Sequence, residues 1–229
     1  LHRGTCTSSS PTEGALQASR EMLLRLWDLE EKADRELSEE VRERVEALFC
    51  GSNGRMLIHP SGTDAEMIPL LQAVLGSRDL KRQAGEKDVR GSVVNIVCCA
   101  GEVGSGTTKA AEARFFSKTV PLGGNAVVDG EELPAIHKLC DMKAIELVAR
   151  SAVNGDLLED YDELVEQTAR DALAEDPHRV VVLHTIAGSK TGLCVPSPRV
   201  AEDLKAEFGE RIISVLDACQ MRNGPTLIP

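Results

Sequence analysis

Aromatic residues make up only 3% of this 229-residue chain, so its core has to be built from Leu, Val, Ile and Ala. No apolar run approaches the eighteen or so residues of a membrane span, which argues against an integral membrane protein. Basic residues are outnumbered by acidic ones, 26 to 37, for a formal charge of −11. A nucleic-acid backbone needs a basic face, so nucleic acid is not the expected partner. The seven cysteines (Cys6, Cys50, Cys98, Cys99, Cys140, Cys194, Cys219) are odd in number, scattered and without a CxxC pair. That pattern argues against a disulfide framework or a zinc site and for a reducing compartment: the cytoplasm, with organelle targeting left open. The polar opening, Leu1 to Gly14, has no secretory apolar core, although Arg3 and the scarcity of acid would suit a transit-peptide remnant.

What is present suffices for one or two domains: 42% hydrophobic and 28% charged residues. The chain opens on Leu and stops just past a strand and turn, so the expectation is a piece of a longer protein. Residues 1–50 read as a polar segment followed by one or two amphipathic helices, with apolar positions Met22, Leu23, Leu26, Val41, Val45 and Leu48. Residues 51–229 read as the main domain. In it Met56–His59 predicts a short strand, Asp64–Leu75 a helix, and Gly76–Gly91 a charged loop. Ser92–Ala100, a continuous apolar run, predicts a strand covered on both faces. A small-residue helix is expected near Thr108–Ala113, then an excursion with short strands over Phe116–Glu132. Leu133–Ser151 and Tyr161–Ala174 read as helices, Arg179–His184 and Arg211–Leu216 as buried strands, and Pro198–Phe208 as a helix. Strand, helix and strand at this spacing predict an α/β fold, a three-layer α/β/α arrangement around a mostly parallel sheet.

Ligands of open α/β sheets sit beyond the carboxyl ends of strands, so the polar segments there are the candidate sites. His59-Pro60-Ser61-Gly62-Thr63-Asp64-Ala65-Glu66 offers hydroxyls and free N–H groups at a helix start, which suits a phosphate. The same segment also fits a capping box, Thr63-x-x-Glu66, that does no more than start the helix. Gly101-x-x-Gly104-x-Gly106 departs from the dinucleotide fingerprint, and no acid is read at the end of a following strand; a tight structural turn explains it equally well. His184 to Gly192 contains Ser189-Lys190-Thr191. Ser189 and His184 stand where a nucleotide P-loop needs glycines, so that motif fails. Finally, Asp217 follows a buried apolar strand, a costly place for an acid without a partner, and is either a functional carboxylate or a cap.

In order and spacing, these segments resemble the large domain of pyridoxal-phosphate enzymes of the aspartate aminotransferase superfamily (fold type I). The likeness is greatest to the class V branch, which includes serine–pyruvate aminotransferases and cysteine desulfurases. Ser61-Gly62-Thr63 is similar to that branch's phosphate-cup turn. Val180–Gly192, with His184 and then Ser189-Lys190-Thr191-Gly192, resembles its strand-His-Ser-Thr-Gly element, and Asp217-Ala218-Cys219-Gln220 its Asp-x-x-Gln.

The resemblance implies a cofactor, pyridoxal 5'-phosphate, and roles for these residues. Ser61, Gly62 and Thr63 would bind the phosphate, Asp217 the pyridine nitrogen and Gln220 the phenolic oxygen. Ser189, Thr191 and His184 would line the same edge of the ring. It implies an amino-acid substrate, aminotransferase or desulfurase chemistry through a Schiff base, and a homodimer. The family's Schiff-base lysine follows the Asp; no lysine follows Asp217 here, and Lys190 and Lys118 both precede it. The expectation is therefore an incomplete large domain whose catalytic lysine lies beyond Pro229, inactive as it stands. Alternatives are a nucleotide-binding α/β enzyme using the 101–107 glycines, or a non-catalytic scaffold.

Overall fold

The computed structural model describes residues 12–27, 31–49, 54–118 and 124–218. The chain divides into two compact units, one ending at His59 and the other starting at Pro60. The first carries two helices, α1 (Glu13–Trp27) and α2 (Glu31–Phe49). Arg42 pairs with both Glu39 and Glu46 one turn away on α2, the spacing at which opposite charges meet on a helix surface. Residues 54–59 form no strand, contrary to the reading of Met56–His59.

The second unit is built on five strands: β1 (Gly91–Cys98), β2 (Cys140–Leu147), β3 (Val180–Ala187), β4 (Cys194–Val195) and β5 (Ile212–Asp217). β2, β1, β3 and β5 lie side by side and parallel, and the two-residue β4 pairs antiparallel with the end of β3. Its helices are α3 (Gly62–Ala65), α4 (Met67–Gln83), α5 (Thr107–Ala111), α6 (Pro134–His137), α7 (Tyr161–Glu175) and α8 (Pro198–Phe208). They cover both faces. Val180 and Val182 of β3 pack with Leu70, Ala73 and Val74 of α4 on one side. Val181 and Leu183, pointing the other way as strand alternation requires, pack with Val165 and Ala169 of α7 and Leu204 of α8. This is the expected α/β architecture with a mostly parallel sheet. Burial on both faces is why β1 and β3 read as unbroken apolar runs.

Two expected elements are different in the structure. The segment read as a charged loop from Gly76 is the second half of α4, which continues to Gln83. Ser77 decides this: fully buried, it donates to His178 O at 2.7 Å and accepts from Ser92 N at 2.8 Å, so its hydroxyl ties the helix to the sheet. Leu133–Ser151, read as one helix, is instead the single turn α6 followed by β2. Its Met, Lys, Ala, Glu and Leu favour helix, but strand propensity is set by the surface a segment packs on. Here the free edge of β1 pairs with all eight residues, Gly91 with Cys140 through Cys98 with Leu147. The excursion before it shows, among the described residues, a single bridge between Arg114 and Glu132 rather than strands.

Candidate functional site

Strand order reverses at β1: the chain passes first to β2 on one side, then back to β3 on the other. The crevice outside the carboxyl ends at such a reversal is where open α/β sheets hold ligands. Here it is framed by the loops after β1 and β3, the end of β5 and the α3–α4 segment.

Ser61 caps α3. Its Oγ accepts from Asp64 N at 3.2 Å and donates to Asp64 Oδ2 at 2.6 Å. The cap is thus a Ser61–Asp64 pair, not the Thr63–Glu66 box that the spacing suggested. Gly62 is open, with no atom within 4 Å of where a Cβ would stand. Thr63 packs on the glycine loop: a Cβ on Gly106 would lie 3.0 Å from Thr63 Cγ2 and 3.0 Å from Phe116 Cβ. The closeness of Gly106 therefore serves Thr63 and Phe116.

Asp217 ends β5 opposite Ile186 and is half-buried. Alternation from Ile213 and Val215, which pack on the α4 side, puts Asp217 on that side too. His184 lies on the same face, two residues back along β3 from the level of Asp217, a rise of ~6.6 Å. It is buried, with Nδ1 3.1 Å from Glu66 Oε2 and Nε2 3.1 Å from Asn95 Oδ1. The Ser61–Thr63 turn runs directly into Glu66. The structure thus sets Glu66, three residues past Thr63, against His184 on the face of the sheet that Asp217 shares.

Ser189 and Thr191 occupy the same edge, but in a different network. Ser189 Oγ donates to Glu102 Oε2 at 2.5 Å, and the Thr191 hydroxyl donates to the same oxygen. Arg150 Nε donates to Glu102 Oε1 at 2.7 Å and its other branch to Thr191 Oγ1 at 2.8 Å. Burial alone would raise the Glu102 pKa; these hydrogen bonds outweigh it and hold the carboxyl down at about 2. One carboxylate thus fastens together the loops after β1, β2 and β3. Cys99, just before it, has φ 56°, a strained value for a non-glycine residue, and its N–H donates to Tyr161 Oη at 2.7 Å. Burial pushes the Cys99 thiol up to about 11. Lys190 contributes its backbone N–H to Glu102 O at 3.1 Å, Lys118 is exposed, and Gln220 lies outside the described residues.

Glu66, Asn95, Glu102 and Arg150 were not singled out as site residues from the sequence. Asn95 carried a signal, the one polar side chain inside an apolar buried strand after Ser92. Glu102 and Arg150 carried none, because their partners are 87 and 41 residues away. The acid at the end of the strand after the glycine loop was also missed. It is Glu146 of β2, which accepts the Thr108 hydroxyl at 2.5 Å, hidden by the reading of that strand as helix.

No helix among the described residues is long and apolar enough to cross a membrane, and none of their His, Cys, Asp and Glu side chains cluster as a metal site would. No protein-family model, curated protein or solved structure matches the chain.

Proposed function

We propose that this chain is part of the large domain of a pyridoxal-phosphate-dependent transferase or lyase acting on an amino acid. The carrying observation is that Glu66, into which the Ser61–Thr63 turn runs, meets His184 on the face of the sheet to which Asp217 points from the end of β5. The donor set suits a small aromatic phosphate. Backbone N–H groups at Gly62 and Thr63 are left over at the start of the helical segment, and the open side of Gly62 leaves room for phosphate oxygens. When bound, the cofactor supplies the electron sink for carbanion chemistry at the substrate's α-carbon. Asp217 holds a proton on the pyridine nitrogen. Ser61, Gly62 and Thr63 anchor the phosphate, and the Glu102 network keeps the floor of the crevice rigid. Ser189 and Thr191 act through that network, and Gln220 takes the phenolic oxygen. The reading assigns no catalytic lysine within these residues, since Lys190 and Lys118 precede Asp217 in the chain. A homodimer is the expected assembly.

Equilibrium dialysis against pyridoxal 5'-phosphate tests this. Saturable binding is expected, weakened about tenfold or more by Asp217→Ala and by replacing the ligand with pyridoxal, which has no phosphate; absence of saturable binding by the wild-type chain overturns the reading. A nucleotide-binding reading draws on one observation, Glu146 at the end of β2 beside the helix that follows the glycine loop. Under that reading NAD or ATP would displace nothing from Asp217 yet raise the melting temperature, and Glu146→Gln would abolish the rise.

A further inference from the structure

Asn95 Nδ2 donates to Ala111 O at 2.8 Å, and this turns its amide oxygen toward His184. An amide oxygen only accepts, so His184 Nε2 carries a hydrogen. That leaves Nδ1 facing Glu66 Oε2 at 3.1 Å, with the two side chains only 2% and 9% exposed. Neither atom has another hydrogen-bond partner among the described residues. Without a proton between them, two lone pairs would oppose one another in a place closed to water, which is costly. With one, the contact is attractive whichever atom owns it.

The other charged groups on the surrounding elements are few. Asp64 of α3 is engaged with Ser61, Lys109 of α5 with Asp129, and Asp217 stands at the end of β5. The first turn of α4 and the whole of β1 carry no charge.

We propose that Glu66 and His184 hold one proton between them, and that this proton fixes the Ser61–Glu66 turn over the carboxyl edge of the sheet. Glu66 joins α3 to α4, His184 belongs to β3, Asn95 to β1, and Ala111 ends α5. The proton thus completes a chain of polar contacts from the turn, through both strands at the order reversal, to the helix after the glycine loop. Glu66 and His184 are positioning residues. The positioning role rests on the ligand reading above; the shared proton does not.

The test uses the full chain labelled with 15N-histidine. In a two-bond 1H–15N spectrum at neutral pH, His184 should show a protonated Nε2, with Nδ1 protonated or accepting a hydrogen bond. A bare, unbonded Nδ1 or a proton-free Nε2 overturns the shared proton. For positioning, Glu66→Ala should weaken pyridoxal 5'-phosphate binding about tenfold. Glu66→Gln, whose amide can donate to Nδ1, should stay within about threefold of wild type. Equal binding by the wild type and the alanine variant overturns the positioning role. If the alanine variant fails to fold, a tenfold loss in the glutamine variant overturns it instead. Failure of the wild type to bind defeats the ligand reading and with it the positioning, while the spectrum still decides the proton.

Discussion

Glu102 and Ser189 stand 87 residues apart in sequence and 2.5 Å apart in the fold, joining the loop after β1 to the loop after β3. Thr191 and Arg150 complete the contact, so a single carboxylate closes the gap at which the sheet changes direction.

Acid should loosen this fastening. The Glu102 carboxyl is held at about 2, below its ordinary 4.5, so its folded-state pKa lies under the unfolded one. The stability it contributes is full above about pH 4.5 and fades as the pH falls toward 2. After allowance for solvent screening the contribution is on the order of 1–2 kcal/mol. Glu102→Gln should unfold at a lower urea concentration at pH 7, and the gap to wild type should narrow at pH 3, as followed by circular dichroism.

Gly106 and Gly62 should respond oppositely to alanine. A Cβ at Gly106 meets Phe116 Cβ and Thr63 Cγ2, both at 3.0 Å, whereas one at Gly62 meets nothing. Gly106→Ala is expected to cost about 1–3 kcal/mol through overpacking. Gly62→Ala should stay within about 0.5 kcal/mol of wild type. Chemical denaturation without ligand measures both.

Removing the Tyr161 hydroxyl should be expensive for one atom. It accepts from Cys99 N at 2.7 Å and donates to Leu147 O at 3.1 Å, in a residue 2% exposed. Tyr161→Phe leaves the buried Cys99 N–H unpaired, while Leu147 O keeps its bond from Ala100 N at 2.9 Å, at a cost of about 1–3 kcal/mol. It also releases the strained backbone of Cys99, so amide exchange at Cys99 and Ala100 should quicken more than exchange in α8.

Asp64 opposes the ligand proposed for its neighbours. Its carboxylate accepts the Ser61 hydroxyl at 2.6 Å and adds negative charge at the turn. Asp64→Asn should therefore tighten pyridoxal 5'-phosphate binding by about two- to fivefold, as expected when a like charge is removed. Weaker binding by this variant in equilibrium dialysis would count against a phosphate at Ser61–Thr63.

The buried strands β1 and β3 and the helices α7 and α8 were legible in the sequence, because each writes its environment into a short stretch. β5 was legible as a strand, but it is not buried as read, since only Ile212 is covered and Ser214 and Leu216 are exposed. Val180–Ala187 is apolar throughout because both faces are covered, and Pro198–Phe208 alternates at helical spacing between the core and water. β2 was not legible. It borrows its conformation from the edge of β1, and its three exposed residues, Asp141, Lys143 and Glu146, fall on both faces, so they leave no alternating strand signature. The end of α4 was obscured by Gly76 and the charges after it, and only the contact of Ser77 with His178 and Ser92 explains its continuation.

By itself the amino-acid order determined the α/β class, the parallel core strands and the polar segments at their ends, since these follow from local periodicity and from which residues tolerate burial. Only the tertiary structure decided that Ser189 and Thr191 serve Glu102, and that His184 is wedged between Glu66 and Asn95. Those pairings depend on the sheet register and on where each loop crosses the carboxyl edge. Such long-range geometry leaves no periodic trace in the chain that folds into it.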